Sequence, residues 1–238
     1  MKIALIGYGK MGKTIEEIAV KKGHEIVLKI GHGNRIDFKQ ENIQKADVCI
    51  EFSTPDAAFD NVTKCLMAGV PTVCGTTAWL QHLSEVQQLC LKQETAFLYA
   101  SNFSIGVNLF FKINAYVAEL MSRYNNYDVS MEEIHHTQKK DSPSGTAVTL
   151  AEGILRHHPH KTAWVNQEEV QSNELSIRSK RIDPAPGTHS IIYHSDIDEI
   201  TITHTAHSRL GFASGALTAA EFLSNKKGLF TMSDVLEI

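Results

Sequence analysis

The alternation of apolar and polar positions changes character near residue 102 of this 238-residue chain. Before that point, short apolar runs alternate with segments whose apolar residues recur at helical spacing, which predicts strands joined by helices. Strands connected in this way form right-handed crossovers, so the pattern predicts a parallel sheet. The predicted elements are a strand at 2–6, a helix after Gly12, strands at 24–30 and 46–51, a helix at 55–68, a strand at 70–74, a helix at 79–93 and a strand at 96–100.

The rest of the chain has longer strands with period-2 alternation, for example Thr201-Ile202-Thr203-His204. Such strands are half-exposed, so they predict an α+β domain with an open sheet. An open sheet needs cover on its second face, and we expect that face to be buried against partner subunits. A last helix at 208–223 is predicted to pack back on the first domain. The other predicted elements are helices at 105–122 and 144–157 and strands at 129–135, 175–181, 190–194 and 199–206.

A glycine motif directly follows the first predicted strand. Gly7-Tyr8-Gly9-Lys10-Met11-Gly12 matches G-x-G-x-x-G and precedes a predicted helix, which is the setting of a dinucleotide-binding site. Gly7 would permit the tight turn, Gly9 the approach of a pyrophosphate, and Gly12 close packing of helix on strand. The first domain is therefore predicted to be a Rossmann-type dinucleotide-binding domain.

Polar loops follow three further predicted strands, at Phe52–Pro55, Gly75–Thr77 and Ser101–Ser104. Ligands of parallel sheets bind at the carboxyl ends of the strands, so these loops are candidates for lining the same crevice. The alternative is that they are ordinary strand-to-helix connections.

The end of the second predicted strand bears on the choice of nucleotide. An NAD site usually has an acid there, but this chain has Lys29, His32 and Arg35 before its first acid, Asp37. Cations favour a 2′-phosphate, so we lean towards NADPH, with NADH also open. A solvated basic loop is the alternative.

The segment from His135 to Ala147 combines two imidazoles, two lysines and a helix start. Ser144 is a candidate N-cap, and free N–H groups near Gly145 would favour a carboxylate or phosphate. Imidazole titrates near neutral pH, which suits a proton donor. A solvated surface turn is the alternative. No metal is expected, because the adjacent histidines would point to opposite faces of a strand.

Composition narrows the class of protein. A charged content of 21% and a net charge of −4 give no reason to expect nucleic-acid binding, and no apolar segment is long enough to span a bilayer. The apolar run at the N-terminus is too short for a signal peptide. The four cysteines form no C-x-x-C pair, which predicts reduced thiols in a cytoplasmic protein.

Several motifs in order resemble the dihydrodipicolinate reductase family, and the resemblance covers essentially the whole chain. It ends at Glu199–His204 and Ser208-Arg209, and it departs from the family at the end of the second strand, where the usual acid is missing. The most specific motif is the block that begins at Glu133. The matching motifs are Gly7-x-Gly9-x-Met11-Gly12, Phe52-Ser53-Thr54-Pro55, Gly75-Thr76-Thr77, Ala100-Ser101-Asn102-Phe103-Ser104-x-Gly106-Val107-Asn108 and Glu133-x-His135-His136-x-x-Lys139-x-Asp141-x-Pro143-Ser144-Gly145-Thr146-Ala147.

The resemblance implies an enzyme of diaminopimelate and lysine biosynthesis that reduces 4-hydroxy-tetrahydrodipicolinate to tetrahydrodipicolinate with NADPH or NADH. It implies an α/β fold, with a dinucleotide-binding domain at 1–104 and 208–238 and a domain for substrate binding and tetramerisation at 105–207. The family is a homotetramer joined through its sheet domains.

The family's functional residues carry over by position. His135 matches the proton donor and Lys139 the assisting acid, while Arg209 is either a weaker candidate or part of a structural salt bridge. Substrate contacts match His136, Ser144, Gly145 and Thr146. Cofactor contacts match Gly7, Tyr8, Gly9, Lys10, Met11, Gly12, Gly75, Thr76, Thr77, Ala100, Ser101, Asn102 and Phe103.

Two other classes remain open from the sequence. One is a different NAD(P)-dependent oxidoreductase; a semialdehyde dehydrogenase, however, would need a nucleophilic cysteine, and none follows Cys90. The other is a non-catalytic dinucleotide sensor, against which the His135-His136-x-x-Lys139 set argues.

Overall fold

The computed structural model describes residues 1–208 and 210–238. The candidate Arg209 therefore lies outside the described residues. The chain divides into two compact units, one formed by Met1–Ile105 with Leu210–Ile238 and the other by Gly106–Arg209.

Most helices and strands lie within three residues of the predicted ones. In chain order they are β1 (Lys2–Ile6), α1 (Lys10–Lys21), β2 (Glu25–Ile30), α2 (Gln40–Ile43), β3 (Val48–Glu51), α3 (Pro55–Met67), β4 (Thr72–Cys74), α4 (Leu83–Lys92), β5 (Ala96–Tyr99), α5 (Ile105–Met121), β6 (Asp128–His135), α6 (Gly145–Leu155), β7 (Ala163–Val165), β8 (Glu174–Arg181), β9 (Gly187–His194), β10 (Glu199–Ala206), α7 (Leu210–Leu223), β11 (Gly228–Phe230) and α8 (Met232–Leu236), with 3-10 turns at His32–Asp37 and Leu80–His82.

The first unit contains the predicted parallel sheet, with strand order β11-β5-β4-β3-β1-β2. Its central strands are buried on both faces, which explains why they appear in the sequence as continuous apolar runs. Helix α7 completes this core. A Cβ at Gly215 would lie 1.7 Å from the carbonyl oxygen of Phe103, so only glycine permits this approach.

The second unit contains a mixed sheet with strand order β10-β9-β6-β8-β7. Central β6 runs antiparallel to β9 and parallel to β8. One face of this sheet packs on α5 and α6, where Met131 and Ile191 meet Leu150 and Ile154 in one apolar cluster. The other face, which carries Glu132 among others, is half-buried, and edge strand β10 is mostly exposed. The register of β6 against its two neighbours positions the site described below.

No helix within residues 1–208 and 210–238 is both long enough and apolar enough to cross a bilayer.

Candidate active site and dinucleotide cradle

In the glycine loop between β1 and α1, the conformation and packing of the backbone require glycine at two of the three glycine positions. Gly7 has a φ of +96°, and a Cβ there would lie 1.9 Å from the carbonyl oxygen of Phe52. A Cβ at Gly12 would lie 2.5 Å from the carbonyl oxygen of Gly7. A Cβ at Gly9, by contrast, would have no described atom within 4 Å. Gly9 therefore leaves open space in front of the start of α1, as a cradle for a phosphate group does.

Two of the cavities that adjoin this loop are lined by Gly9. One, of about 290 Å³, is lined by Gly7, Tyr8 and Gly9 together with residues from the ends of β2 and β3. The other, of about 360 Å³, brings Gly9, Lys10 and Met11 together with Phe52, Ser53, Pro55 and Gly75, Thr76 and Thr77. The structure thus gathers most of the predicted cofactor residues around one edge of the sheet. Ala100–Phe103 line neither cavity, and the ring of Phe103 is buried in the core of this unit.

A buried carboxylate connects the loops around these cavities. It was not among the residues predicted from the sequence. Glu51, at the end of β3, accepts hydrogen bonds from Ser53 Oγ, from Thr76 Oγ1 at 2.6 Å and from Asn61 Nδ2 at 3.3 Å. Ser53 N also donates to Thr76 Oγ1 at 2.8 Å. The loops after β3 and β4 are therefore held to one another. An acid that ends an otherwise apolar, buried strand was the signal for this role.

The three basic residues at the end of β2 and in the 3-10 turn after it have different surroundings. Arg35 and His32 line the cavity of about 290 Å³, and Arg35 donates to Asn61 Oδ1 at 3.2 Å. Lys29 instead pairs with Glu16 at 3.2 Å, and this hydrogen bond raises the pKa of Lys29. Of these three residues, only Arg35 and His32 are therefore placed to contact a ligand in this cavity.

In the second unit, the predicted N-cap of α6 is confirmed. Ser144 Oγ accepts a hydrogen bond from Ala147 N at 3.1 Å. The N–H of Ser144 points the other way, to both oxygens of Glu133 at 3.1 Å. Gly145 is exposed, with no described atom within 4 Å of an added Cβ, and Thr146 is half-buried. The helix therefore starts at an accessible position with a fixed cap.

His135 is the last residue of β6 and is buried. Its Nδ1 lies 3.4 Å from Glu133 Oε2. Burial lowers the pKa of His135 to about 4, although the charge of Glu133 opposes this effect. The imidazole is therefore neutral at pH 7 in the absence of substrate. The neighbouring candidate Lys139 pairs with both oxygens of Asp141, at 2.8 and 2.9 Å, while His136 is half-buried.

Three residues around His135 were not predicted as part of the site. Arg181 lies 3.3 Å from Glu133 Oε1 and donates to the carbonyl oxygen of Asp141 at 2.6 Å. His189 Nε2 lies 3.2 Å from Ser144 Oγ and 3.7 Å from Glu133 Oε2. Glu133 itself is fully buried. The strand register brings these residues together. Glu133 lies opposite His189 on β9, and His135 lies opposite Arg181 on β8.

Glu133, His135 and His189 each offer a ligand atom, and these atoms lie within 4.8 Å of one another. The sequence predicted no metal. The carboxylate of Glu133 already binds the guanidinium of Arg181 and the N–H of Ser144, so this proximity has an explanation within the protein itself.

The glycine loop on a parallel sheet and the buried acid–base cluster define a pyridine-nucleotide-dependent oxidoreductase. The chain belongs to the dihydrodipicolinate reductase family. The family model for the N-terminus of dihydrodipicolinate reductase matches residues 1–103 of this chain. The family model for its C-terminus matches residues 106–236.

Individual relatives are similar to this chain over nearly its full length. The chain is 50% identical to a 4-hydroxy-tetrahydrodipicolinate reductase of Christiangramia forsetii, covering 99% of this chain and 98% of that one. It is 34% identical to the reductase of the same name from Thermosipho africanus, covering 100% and 98%. Among solved structures, a dipicolinate-bound dihydrodipicolinate reductase from Paenisporosarcina sp. TG-14 matches with a TM-score of 0.77 and 25% identity, covering 97% of both chains.

Proposed function

We propose that this chain reduces 4-hydroxy-tetrahydrodipicolinate to tetrahydrodipicolinate with NADPH or NADH, a step of diaminopimelate and lysine biosynthesis. The observation that carries the proposal is the pairing of a buried imidazole, His135, with the capped and accessible start of α6, in a chain of this family. A dicarboxylate that must gain a hydride and a proton needs both features.

The first unit is proposed to bind the nucleotide. The space in front of Gly9 and the first N–H groups of α1 suit a pyrophosphate, and Gly75, Thr76 and Thr77 lie across the same cavity. When bound, NAD(P)H supplies the hydride. Thr76 is buried and fixed by Glu51, so the cavity has its shape before the nucleotide arrives.

The second unit is proposed to bind the substrate and supply the proton. The N–H groups of Gly145 and Thr146 and the hydroxyl of Thr146 would receive a carboxylate. Ser144, whose own N–H is donated to Glu133, would act at this position as the cap that fixes the helix start, with His136 as a further substrate contact. His135 would donate the proton. Lys139, whose ammonium is held by Asp141, would stabilise negative charge that develops on the ring.

Nucleotide oxidation with 4-hydroxy-tetrahydrodipicolinate tests this function. We expect loss of the absorbance of the reduced nicotinamide only when this substrate is present. Turnover with another carbonyl or imine substrate instead would indicate a different oxidoreductase. Tight nucleotide binding without turnover would indicate a sensor.

The nucleotide preference is proposed to favour NADPH through Arg35. Replacing Arg35 with alanine should lower the ratio of kcat/KM for NADPH to that for NADH about tenfold, because a charged hydrogen bond to the 2′-phosphate is lost. Steady-state kinetics with both nucleotides measure the ratio. Lys29→Ala is the control, since Lys29 is engaged by Glu16 and the ratio should hold. An unchanged ratio in Arg35→Ala would reject this assignment.

Thr146→Val should raise KM for the dicarboxylate about tenfold with kcat largely kept, as for loss of a contact made equally in the ground and transition states. Initial rates at varied substrate concentration measure both constants. Thr218→Val is a suitable control, because Thr218 bonds within α7 of the other unit. A fall in kcat at constant KM would contradict a binding role.

A homotetramer joined through the second sheet is also proposed. Along β6, the residues on the face away from α5 and α6 are half-buried at most, and Ile200 on edge strand β10 is 42% exposed. Partner subunits would cover both the face and the edge. A cytoplasmic location agrees with four free, buried cysteines.

A further inference from the structure

One buried carboxylate contacts both halves of the proposed substrate site. Glu133 is fully buried, and its oxygens accept the N–H of Ser144 at 3.1 Å. The same carboxylate lies 3.4 Å from Nδ1 of His135 and 3.3 Å from the guanidinium of Arg181. Removing a buried carboxylate would thus affect the proton donor and the start of α6 together.

The strand register explains why these groups meet. Glu133 and His135 are two residues apart on β6, so their side chains share the face that packs on α6. His189 on β9 lies opposite Glu133, and Arg181 on β8 lies opposite His135. The cluster is therefore built on three adjacent strands, which hold side chains more rigidly than loops do.

The two nitrogens of His135 have different surroundings. Nδ1 is buried without a hydrogen-bond partner among the described residues, and it faces Glu133. Nε2 lies next to Gly187, where even a Cβ would come within 3.1 Å. A glycine at this position therefore keeps the space beside Nε2 clear.

We infer that Glu133 is a positioning residue, whose carboxylate accepts the Nδ1 proton of His135 so that Nε2 faces the substrate, while it anchors Ser144 at the start of α6. The inference rests on the proposed function. In the reaction, the charge of the bound dicarboxylate favours the doubly protonated imidazolium of His135, which is neutral in the free protein. The hydroxyl group of the substrate leaves as water, NAD(P)H would supply the hydride, and the N–H bond at Nε2 breaks as the substrate gains its proton. His135 is left neutral with its proton on Nδ1, and one proton taken up from solvent restores the Nε2 proton, so each turnover consumes one proton. Glu133 transfers no proton.

Several charged groups act on the protonated form of His135. Glu133 and Asp141 favour it, while burial, Lys139 and Arg181 oppose it. His189, the other group facing His135, is neutral at pH 7 because burial lowers its pKa to about 3. Glu133 is the negatively charged residue that lies on the same strand as His135 and on the same face of the sheet. Removing the charge of Glu133 should therefore lower the pKa of His135 further.

The test is the pH dependence of kcat in Glu133→Gln, which keeps the shape and loses the charge. A general acid must be protonated, so activity is present below its pKa and falls as pH rises through it. We expect this high-pH limb to move down by about one unit, which corresponds to about a tenfold lower kcat on the limb. Glu132→Gln is the matched control: it is the adjacent residue, on the opposite face and paired with Lys180, and should keep the wild-type limb.

A uniform fall in kcat with an unmoved limb would overturn the inference and leave the proposed function standing. Absence of turnover in the wild-type protein would instead reject the proposed function. Should Glu133→Gln fail to fold, nitrogen NMR of His135 in the free wild-type protein decides. A neutral ring protonated on Nδ1 supports the inference, and one protonated on Nε2 overturns it. A stoichiometric metal that His189→Ala loses would also overturn it, since Glu133 would then be a metal ligand.

Discussion

Replacing His135 with alanine is expected to lower kcat about 10²–10⁴-fold, the range for loss of a general acid, with the KM for the nucleotide nearly unchanged. The physical reason is that His135 is the buried imidazole proposed to carry the proton, and Glu133 links it to the capped start of α6, while the residues proposed to bind the nucleotide belong to the other unit. Steady-state kinetics at varied concentrations of nucleotide and of substrate measure both constants.

His157→Ala is the control for this substitution, because His157 is exposed just after α6 and should leave kcat unchanged. Thermal unfolding of both variants separates loss of chemistry from loss of fold. Turnover of His135→Ala within a few-fold of the wild type would remove this residue from the mechanism.

Replacing Gly9 with valine is expected to weaken nucleotide binding on the order of 10²-fold. The side chain would fill the space in front of α1 and cost at least one charged hydrogen bond to the pyrophosphate, worth about 1.5–3 kcal/mol. Because an added Cβ meets no described atom within 4 Å, the fold should tolerate the change. Nucleotide titration followed by nicotinamide fluorescence measures the dissociation constant.

Gly33→Val provides the comparison, since Gly33 is equally open but lines neither of the two cavities. Its dissociation constant should stay near the wild-type value. A variant at Gly9 that binds the nucleotide normally would show that the pyrophosphate lies elsewhere.

The arrangement of the first unit was largely predictable because its signals are local. A strand buried on both faces is a continuous apolar run, and the glycine loop after β1 has a spacing that few other structures require. β11 escaped prediction because it is three residues long and is held by pairing with β5, a non-local interaction. The 3-10 turn at His32–Asp37 has no periodicity to detect.

In the candidate site, the sequence indicated single residues but not their partners. Ser144 could be identified as an N-cap because that role depends on its immediate neighbours. Glu133, Arg181 and His189 come together only through the register of three strands that are distant along the chain. Lys29 shows the converse case, since nothing local predicts that Glu16 engages it.

The division of the chain has a consequence for biosynthesis on the ribosome. The core of the first unit includes Ala213, Leu217, Ala220 and Leu223 of α7, so its sheet lacks part of its cover until α7 emerges. The second unit is continuous in sequence and emerges complete before them. We therefore expect the second unit to acquire its native structure earlier during translation than the first unit, which waits until α7 has emerged, the reverse of the usual vectorial order.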